Sequence, residues 1–330
     1  MSPAVRIGLA IAVLGAVGVA AVWLARPGPH AGGGGTESRR HWISSRQCQE
    51  CHAEVWDEWH GSHHQISYLN PEVRKLSDEF RVKECQACHL PRPIFETGIG
   101  NRTLPRITRP DEGVDCLTCH LAPDGQILAR RARPDVPCAP RADARASAVE
   151  ACETCHNQHG TTDQWRASEW ARKGTTCNDC HMPEVQRRHG GKGREHVFHG
   201  AHDAAMLRKA GTFRAEVHDG ELRMTLTNTG AGHNFPTEER HRAVDIVYRF
   251  VPRDGAPPAE WTRAWRFRQP YRDEPGENTQ LPAGASKEVR VAIPPGTARV
   301  QARLWYRLTP FSVDGDPGST LLDEKEIPLP

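Results

Sequence analysis

Hydrophobic positions are spread along this chain in three different ways. From Ile7 to Leu24 they form one unbroken apolar run of 18 residues, with Arg6 before it and Arg26-Pro27-Gly28 after it. That length is at the lower limit for a membrane-spanning helix and above the usual core of a signal peptide. Between about residues 42 and 205 apolar positions are sparse and short in period. Ala53-Glu-Val-Trp56-Asp-Glu-Trp59 sets them three apart and predicts a helix with one buried edge, within a helical stretch over 48–68. Pro91, Pro93, Gly98, Gly100, Pro105 and Pro110 predict a loop, and Asp111-Glu-Gly-Val114 a return to short helix. Residues 129–148, rich in Arg, Pro and Ala, read as a surface excursion, and a basic, Gly-rich loop follows Pro183. From about Met206 the period becomes two. Phe213-Arg-Ala-Glu-Val217 and Leu222-Arg-Met-Thr-Leu-Thr227 flank His218-Asp219-Gly220-Glu221, which predicts a hairpin with an Asp-Gly turn. Further strands are predicted over 243–251, 261–267, 287–293 and 299–308, with turn residues between them.

The patterns divide the chain into a signal or membrane anchor at 1–28, a tether at 29–41 containing four consecutive glycines, a domain at 42–205 and a domain at 206–330. The third segment is expected to be mainly helical and irregular with few strands. The last is expected to be an all-β, sandwich-like domain of about 120 residues.

Cysteine usage changes the picture of the third segment. Five times a C-x-x-C-H pattern recurs: Cys48/Cys51/His52, Cys85/Cys88/His89, Cys116/Cys119/His120, Cys152/Cys155/His156 and Cys177/Cys180/His181. This is the attachment signature of c-type haem, in which two thiols add to the porphyrin vinyl groups and the histidine becomes the proximal iron ligand. One helical turn places both sulfurs on one edge of the macrocycle and swings the imidazole under the iron. A lone C-x-x-C is more often a zinc or redox site. Zinc sites pair such units and do not require His after each, and iron–sulfur ligation uses tight cysteine clusters. Ten of the 11 cysteines are used by the pattern. Cys138 remains as a free thiol. The chemistry predicts five covalent haem c groups on Cys48, Cys51, Cys85, Cys88, Cys116, Cys119, Cys152, Cys155, Cys177 and Cys180.

Composition agrees. Hydrophobic residues are 37% and aromatic residues 6% of the chain, thin for a self-sufficient core and apt for one whose cofactors fill the interior. The formal net charge of +2 carries no nucleic-acid signature. Two ionised propionates and one positive ring core per oxidised haem would take five-haem protein to about −3, and full reduction to about −8, giving an acidic surface field. Covalent haem attachment calls for export, so the N-terminal segment directs the chain outward. It places the protein on the periplasmic side of the inner membrane as an anchor, or free there if cleaved. Arg26, Arg39, Arg40 and Arg46 then lie on the side that the positive-inside rule disfavours, and the haem motifs decide the orientation.

An internal echo is visible. Trp165-Arg-Ala-Ser168-Glu-Trp170 repeats the spacing of Trp59-His-Gly-Ser62-His-His64, with Trp170 where the first copy has His64.

At this point a family is discernible. Cys48-x-x-Cys51-His52 with Trp59-x-Gly61-Ser62-x-His64, the Glu112-Gly113-Val114-x-Cys116 lead-in, Cys177-x-x-Cys180-His181-Met182-Pro183 and His196-x-Phe198-x-Gly200-x-His202-Asp203 resemble multihaem cytochromes c of the cytochrome c-554 type, a branch of the group that includes hydroxylamine oxidoreductase-like proteins. Asn228-x-Gly230-Ala231-Gly232-His233-Asn234-Phe235-Pro236-Thr237 and Ala302-Arg-Leu304-x-Tyr306-Arg307 resemble the β-domain that often follows. The resemblance implies closely packed haems, mostly with two axial histidines. It marks His64, His196, His202 and His233 as distal ligands opposite the proximal His52, His89, His120, His156 and His181. His60 is taken for the remaining position, in competition with His63, His159, His189 and His199.

Iron with two histidine ligands changes oxidation state but has no site for substrate. The leading expectation is therefore an exported relay passing electrons between redox partner proteins. One alternative is an enzyme acting on a small nitrogen or sulfur compound such as nitric oxide, nitrite or hydroxylamine at one five-coordinate haem. Another is a subunit of a larger electron-conducting complex.

Overall fold

Short helices separated by turns carry the C-x-x-C-H motifs, and strands take over after residue 211. The computed structural model describes residues 41–330 apart from 189, 238–240 and 272–273. The expected anchor and tether, and His189, lie outside the described residues. Among those described, no helix is long and apolar enough to cross a membrane.

The helices of the first part span Arg46–Gln49, Ala53–Trp59, Pro71–Leu76, Lys83–His89, Cys116–His120, Val149–His156, Thr161–Ala167, Glu169–Arg172 and Cys177–His181. Four motifs end on the last residue of a helix. The first does not. Its helix stops at Gln49, and His52 at φ −117° caps the next one. The predicted helix over 48–68 is thus two short helices and a run of turns starting at Gly61, whose φ is +89°. Asp111–Val114 also departs from expectation. A 3-10 turn at Pro110–Glu112 ends at Gly113, and Asp115 is extended so that its carboxylate can cap the helix Cys116–His120.

Strand pairs appear where loops were expected. β1 (Leu128–Ala129) pairs in parallel with β2 (Arg141–Ala142), and β3 (Glu184–Gln186) pairs antiparallel with β4 (Lys192–Arg194). The apolar cluster of this part is small: Ile94, Phe95, Ala122 and Leu128, with Ile99, Ala146 and Ala151 against it.

The strand-rich part matches its pattern closely. β5 (Thr212–His218), β6 (Glu221–Thr227) and β9 (Ser286–Ala292) form one antiparallel sheet in the order β5-β6-β9. β7 (Ala243–Pro252), β8 (Thr262–Phe267), β10 (Thr297–Arg307) and β11 (Ser319–Pro328) form a second, ordered β11-β10-β7-β8. Asp219 and Gly220 at φ +52° and +75° make the two-residue turn whose twist suits a hairpin. Leu222, Met224 and Leu226 of β6 meet Val244 and Ile246 of β7 and Val300, Ala302, Leu304 and Tyr306 of β10 in one core. Each of the large side chains there contributes roughly 1.5–3 kcal/mol by leaving water. Leu207, on the helix Ala204–Lys209, belongs to the same core. β11 was absent from the expected strands. Its Asp323-Glu-Lys-Glu326 run reads as solvated, and the strand is a charged edge paired on one side only, a usual guard against edge-to-edge association.

Candidate haem centres

The motif helices are placed by caps and by a repeated tryptophan contact. The Asp115 carboxylate accepts from the Thr118 backbone N–H at 2.7 Å, and Thr118 answers the N-cap in turn. Thr176 and Asp179 make the same reciprocal box with the residue types exchanged. Trp59 Nε1 donates to the Val114 carbonyl at 2.8 Å, two residues before Cys116. Trp165 Nε1 donates to the Thr175 carbonyl at 2.9 Å, two residues before Cys177. The sequence echo is therefore a structural repeat: each tryptophan pins the backbone that enters a motif helix. Trp165→Phe is expected to lower stability by about 1–3 kcal/mol, the cost of leaving a carbonyl unpaired, in a denaturant titration. An unchanged midpoint would show that the bond holds nothing in place. The second copy does differ where expected. Trp170 packs with Trp165 against Gly232, beside His233, so it supports a neighbouring loop where the first copy has a histidine.

Several imidazoles are oriented by backbone carbonyls. His89 Nδ1 meets the Ser67 carbonyl at 3.0 Å, His120 Nδ1 that of Leu128 at 2.8 Å, and His181 Nδ1 that of His199 at 2.6 Å. His196 and His233 use the Arg194 and Asn234 carbonyls at 2.8 and 2.9 Å. A proton held on Nδ1 leaves Nε2 as the lone-pair nitrogen a metal needs. Removal from water disfavours the charged form of His120, His181, His196 and His233, and of His64. It pushes His64 down to about 3, and His196 and His233 to about 4, and it lowers His120 and His181 as well.

Two pairs of rings face each other. His181 and His233 have centroids 6.2 Å apart with planes 13° from parallel. His64 and His156 are 6.0 Å apart at 42°. With metal–imidazole bonds of about 2 Å and roughly 1 Å from each nitrogen to its ring centre, one metal held between two imidazoles sets the centroids about 6 Å apart. His196 and His120 are close enough for His120 to depress His196, and His52 likewise depresses His120.

The thiols of different motifs also meet. Cys48 lies within electrostatic reach of Cys116, Cys88 of Cys155, Cys152 of Cys177, and Cys119 of Cys152 and Cys155. Cys138 is half-buried within reach of Cys48.

Other expected ligands are placed differently. His202 stacks on His63 with centroids 3.6 Å apart, too close for a metal between them. His60 stacks on Trp56 at 5.7 Å, exposed at the end of the helix Ala53–Trp59. Sequence reasoning overlooked Phe198, packed 4.1 Å from the His64 ring. It also overlooked Glu58, which accepts the His196 backbone N–H at 2.9 Å while paired to Arg187. A carbonyl acceptor carries no residue signature, so the orienting bonds had no signal to find.

Residues 47–121 match the sequence model of the family described as cytochrome c554 and c-prime. The fold is similar to that of a penta-heme cytochrome c552 from Thermochromatium tepidum, at 20% identity and a TM-score of 0.68, over 87% of this chain and 99% of that one. Over residues 47–121 the chain is thus similar in sequence to a cytochrome c family, and over most of its length it is similar in fold to a multihaem one. A superoxide reductase from Nanoarchaeum equitans is also similar, at 18% identity over 37% of this chain and 94% of that one, but its TM-score of 0.22 carries no argument. No curated protein matches the sequence.

The chain's own residues fit the covalent haem c that this similarity implies. His181 and His233 stand at the separation one metal requires with both Nδ1 atoms engaged, and His64 and His156 stand at a similar separation. Bound haem supplies one-electron redox chemistry. The polypeptide orients several of the imidazoles through backbone carbonyls and, by partly burying them, disfavours their charged form.

Proposed function

We propose that this protein is an exported electron relay with five covalent haems. It is held at the periplasmic side of the inner membrane by its N-terminal segment and passes electrons between donor and acceptor redox proteins, without nucleic acid. The haem-bearing part spans 42–205 and the β-domain 206–330. His52, His89, His120, His156 and His181 are the proximal ligands, with His64 opposite His156, His233 opposite His181, and His196 serving the haem of His120.

The observation that carries this reading is the coordinating separation of His181 and His233, supported by that of His64 and His156. The thiol contacts suggest the order of the relay. The first motif adjoins the third, the third adjoins the fourth, and the second and fifth both adjoin the fourth. The small-molecule enzyme reading loses the feature that favoured it, because Trp170 serves the loop that presents His233.

The test is the mass of the intact protein together with its EPR spectrum, with and without nitric oxide. Five haem additions are expected, and the haems of His120, His156 and His181 should give low-spin signals untouched by nitric oxide. His64→Ala and His233→Ala should each convert one low-spin haem to a high-spin one that binds nitric oxide, with the haem count unchanged. Spectra identical to wild type would refute the ligand assignments. A high-spin haem binding nitric oxide in the wild type would favour the enzyme.

A further inference from the structure

Residues 195–203 link β4 to the helix Ala204–Lys209, and this segment touches the expected ligands of three haems. His196 lies within it, Phe198 packs on His64, and the His199 carbonyl accepts the Nδ1 proton of His181. Of the proximal histidines with a carbonyl partner named above, His181 has the shortest bond.

His199 cannot itself serve an iron, since both of its ring nitrogens are engaged. Nε2 meets Glu195 at 2.7 Å and Nδ1 meets Asp203. The two carboxylates stand four residues to either side, so the imidazole staples the loop across its length. Both ends are anchored. Glu195 donates its backbone N–H to the Pro183 carbonyl at 3.0 Å. The other oxygen of Asp203 caps the helix Ala204–Lys209, accepting from Ala205 and Met206 at 2.8 and 3.0 Å. Phe198, at φ +58°, turns the chain just before the carbonyl in question.

We propose that His199 is a positioning residue for the fifth haem: clasped between Glu195 and Asp203, it fixes the carbonyl that holds the Nδ1 proton of His181, and so sets that haem's potential. The reasoning rests on the reading of His181 as an iron ligand. A hydrogen bond from Nδ1–H to a fixed acceptor makes the imidazole a stronger donor to the metal. A stronger donor favours oxidised iron and lowers the potential. Loosening the staple weakens that bond and raises the potential of one haem of the set.

The experiment is a spectropotentiometric titration with EPR on the full-length, haem-loaded protein. His199→Phe keeps an aromatic ring and removes both clasps. It should raise the potential of one haem by about a tenfold change in its oxidised-to-reduced ratio, about 59 mV for one electron, and leave the others in place. Asp203→Asn keeps the helix cap, because Asn caps as well as Asp, and weakens one clasp. It should shift the same haem in the same direction by less, and it serves as the test should His199→Phe fail to fold. His199→Gln, whose amide still donates to a carboxylate, should restore part of the shift. Lowered thermal stability with every potential and g-value unchanged would reduce His199 to a loop staple and overturn the proposal. The His233→Ala control separates the two readings. If it converts no haem to high spin, the assignment of His233 fails, and the positioning role is then judged by the His199 variants alone. If it does convert one while the His199 variants shift nothing, the positioning role alone fails.

Discussion

Gly113→Ala is expected to unseat His64 and destabilise the haem-loaded protein by about 2–6 kcal/mol, from backbone strain and overpacking together. Gly113 sits at φ +43° and ψ −125°, a region that side-chain-bearing residues rarely enter. A Cβ there would fall well inside contact distance of the His64 and Gln65 carbonyl oxygens and 2.6 Å from Ser67 Oγ. Carbonyls in the backbone cannot rotate aside. The approach is close because Val114 donates its N–H to the His64 carbonyl at 2.8 Å. That bond ties the entry of the third motif helix to His64, whose ring faces the fourth motif's His156. The check is a melting curve with an EPR spectrum. A fall of at least about 5 °C with an altered low-spin signal is expected. Wild-type melting and spectrum would mean that the two backbones do not approach as described.

Asp115→Ala should cost about 3–5 kcal/mol from the charges it strands, plus about 1 kcal/mol from the lost cap. The Asp115 side chain is 0% exposed and does two jobs. One oxygen caps the helix Cys116–His120 through Thr118. The other faces Arg109 at 3.0 Å and Arg106 at 3.5 Å. Arg106 is itself 6% exposed, with its remaining donors on the carbonyls of Pro91, Thr108 and Gly113. Removing the carboxylate leaves that guanidinium buried beside neutral oxygens. Asp115→Asn separates the two roles, since it keeps the cap and loses the charge. In a denaturant titration it should recover only the cap's share. Full recovery by Asn would show that the Arg106 pairing contributes little. The Gly113 and Asp115 effects should not add, because Arg106 bonds to both residues.

Much of the fold was legible in the sequence. Six strands follow from the period of two after Met206, and the Asp219-Gly220 hairpin from its turn residues. β11 was hidden because an edge strand needs only one satisfied face, and its charges resemble a solvated segment. The helix expected over 48–68 failed because His52 and Gly61 take backbone angles that end a helix, a choice made by their surroundings. His199 stood among the competing histidines by type, and only its two carboxylate partners remove it.

What the sequence by itself offered is the haem-attachment pattern and the class of the two segments the structure describes, helical and irregular first and strand-rich after. Haem attachment is written within five residues, and strand or helix within a few more, so both are local and survive without knowledge of the rest of the chain. Only the tertiary structure decided which histidine faces which. His64 meets His156, and His233 crosses from a sandwich loop to His181. It also decided that Cys48 of the first motif adjoins Cys116 of the third. These pairings lie far apart along the chain. They arise because a core shared by two sheets, a glycine with no Cβ and a few buried carbonyls leave each loop one place to go.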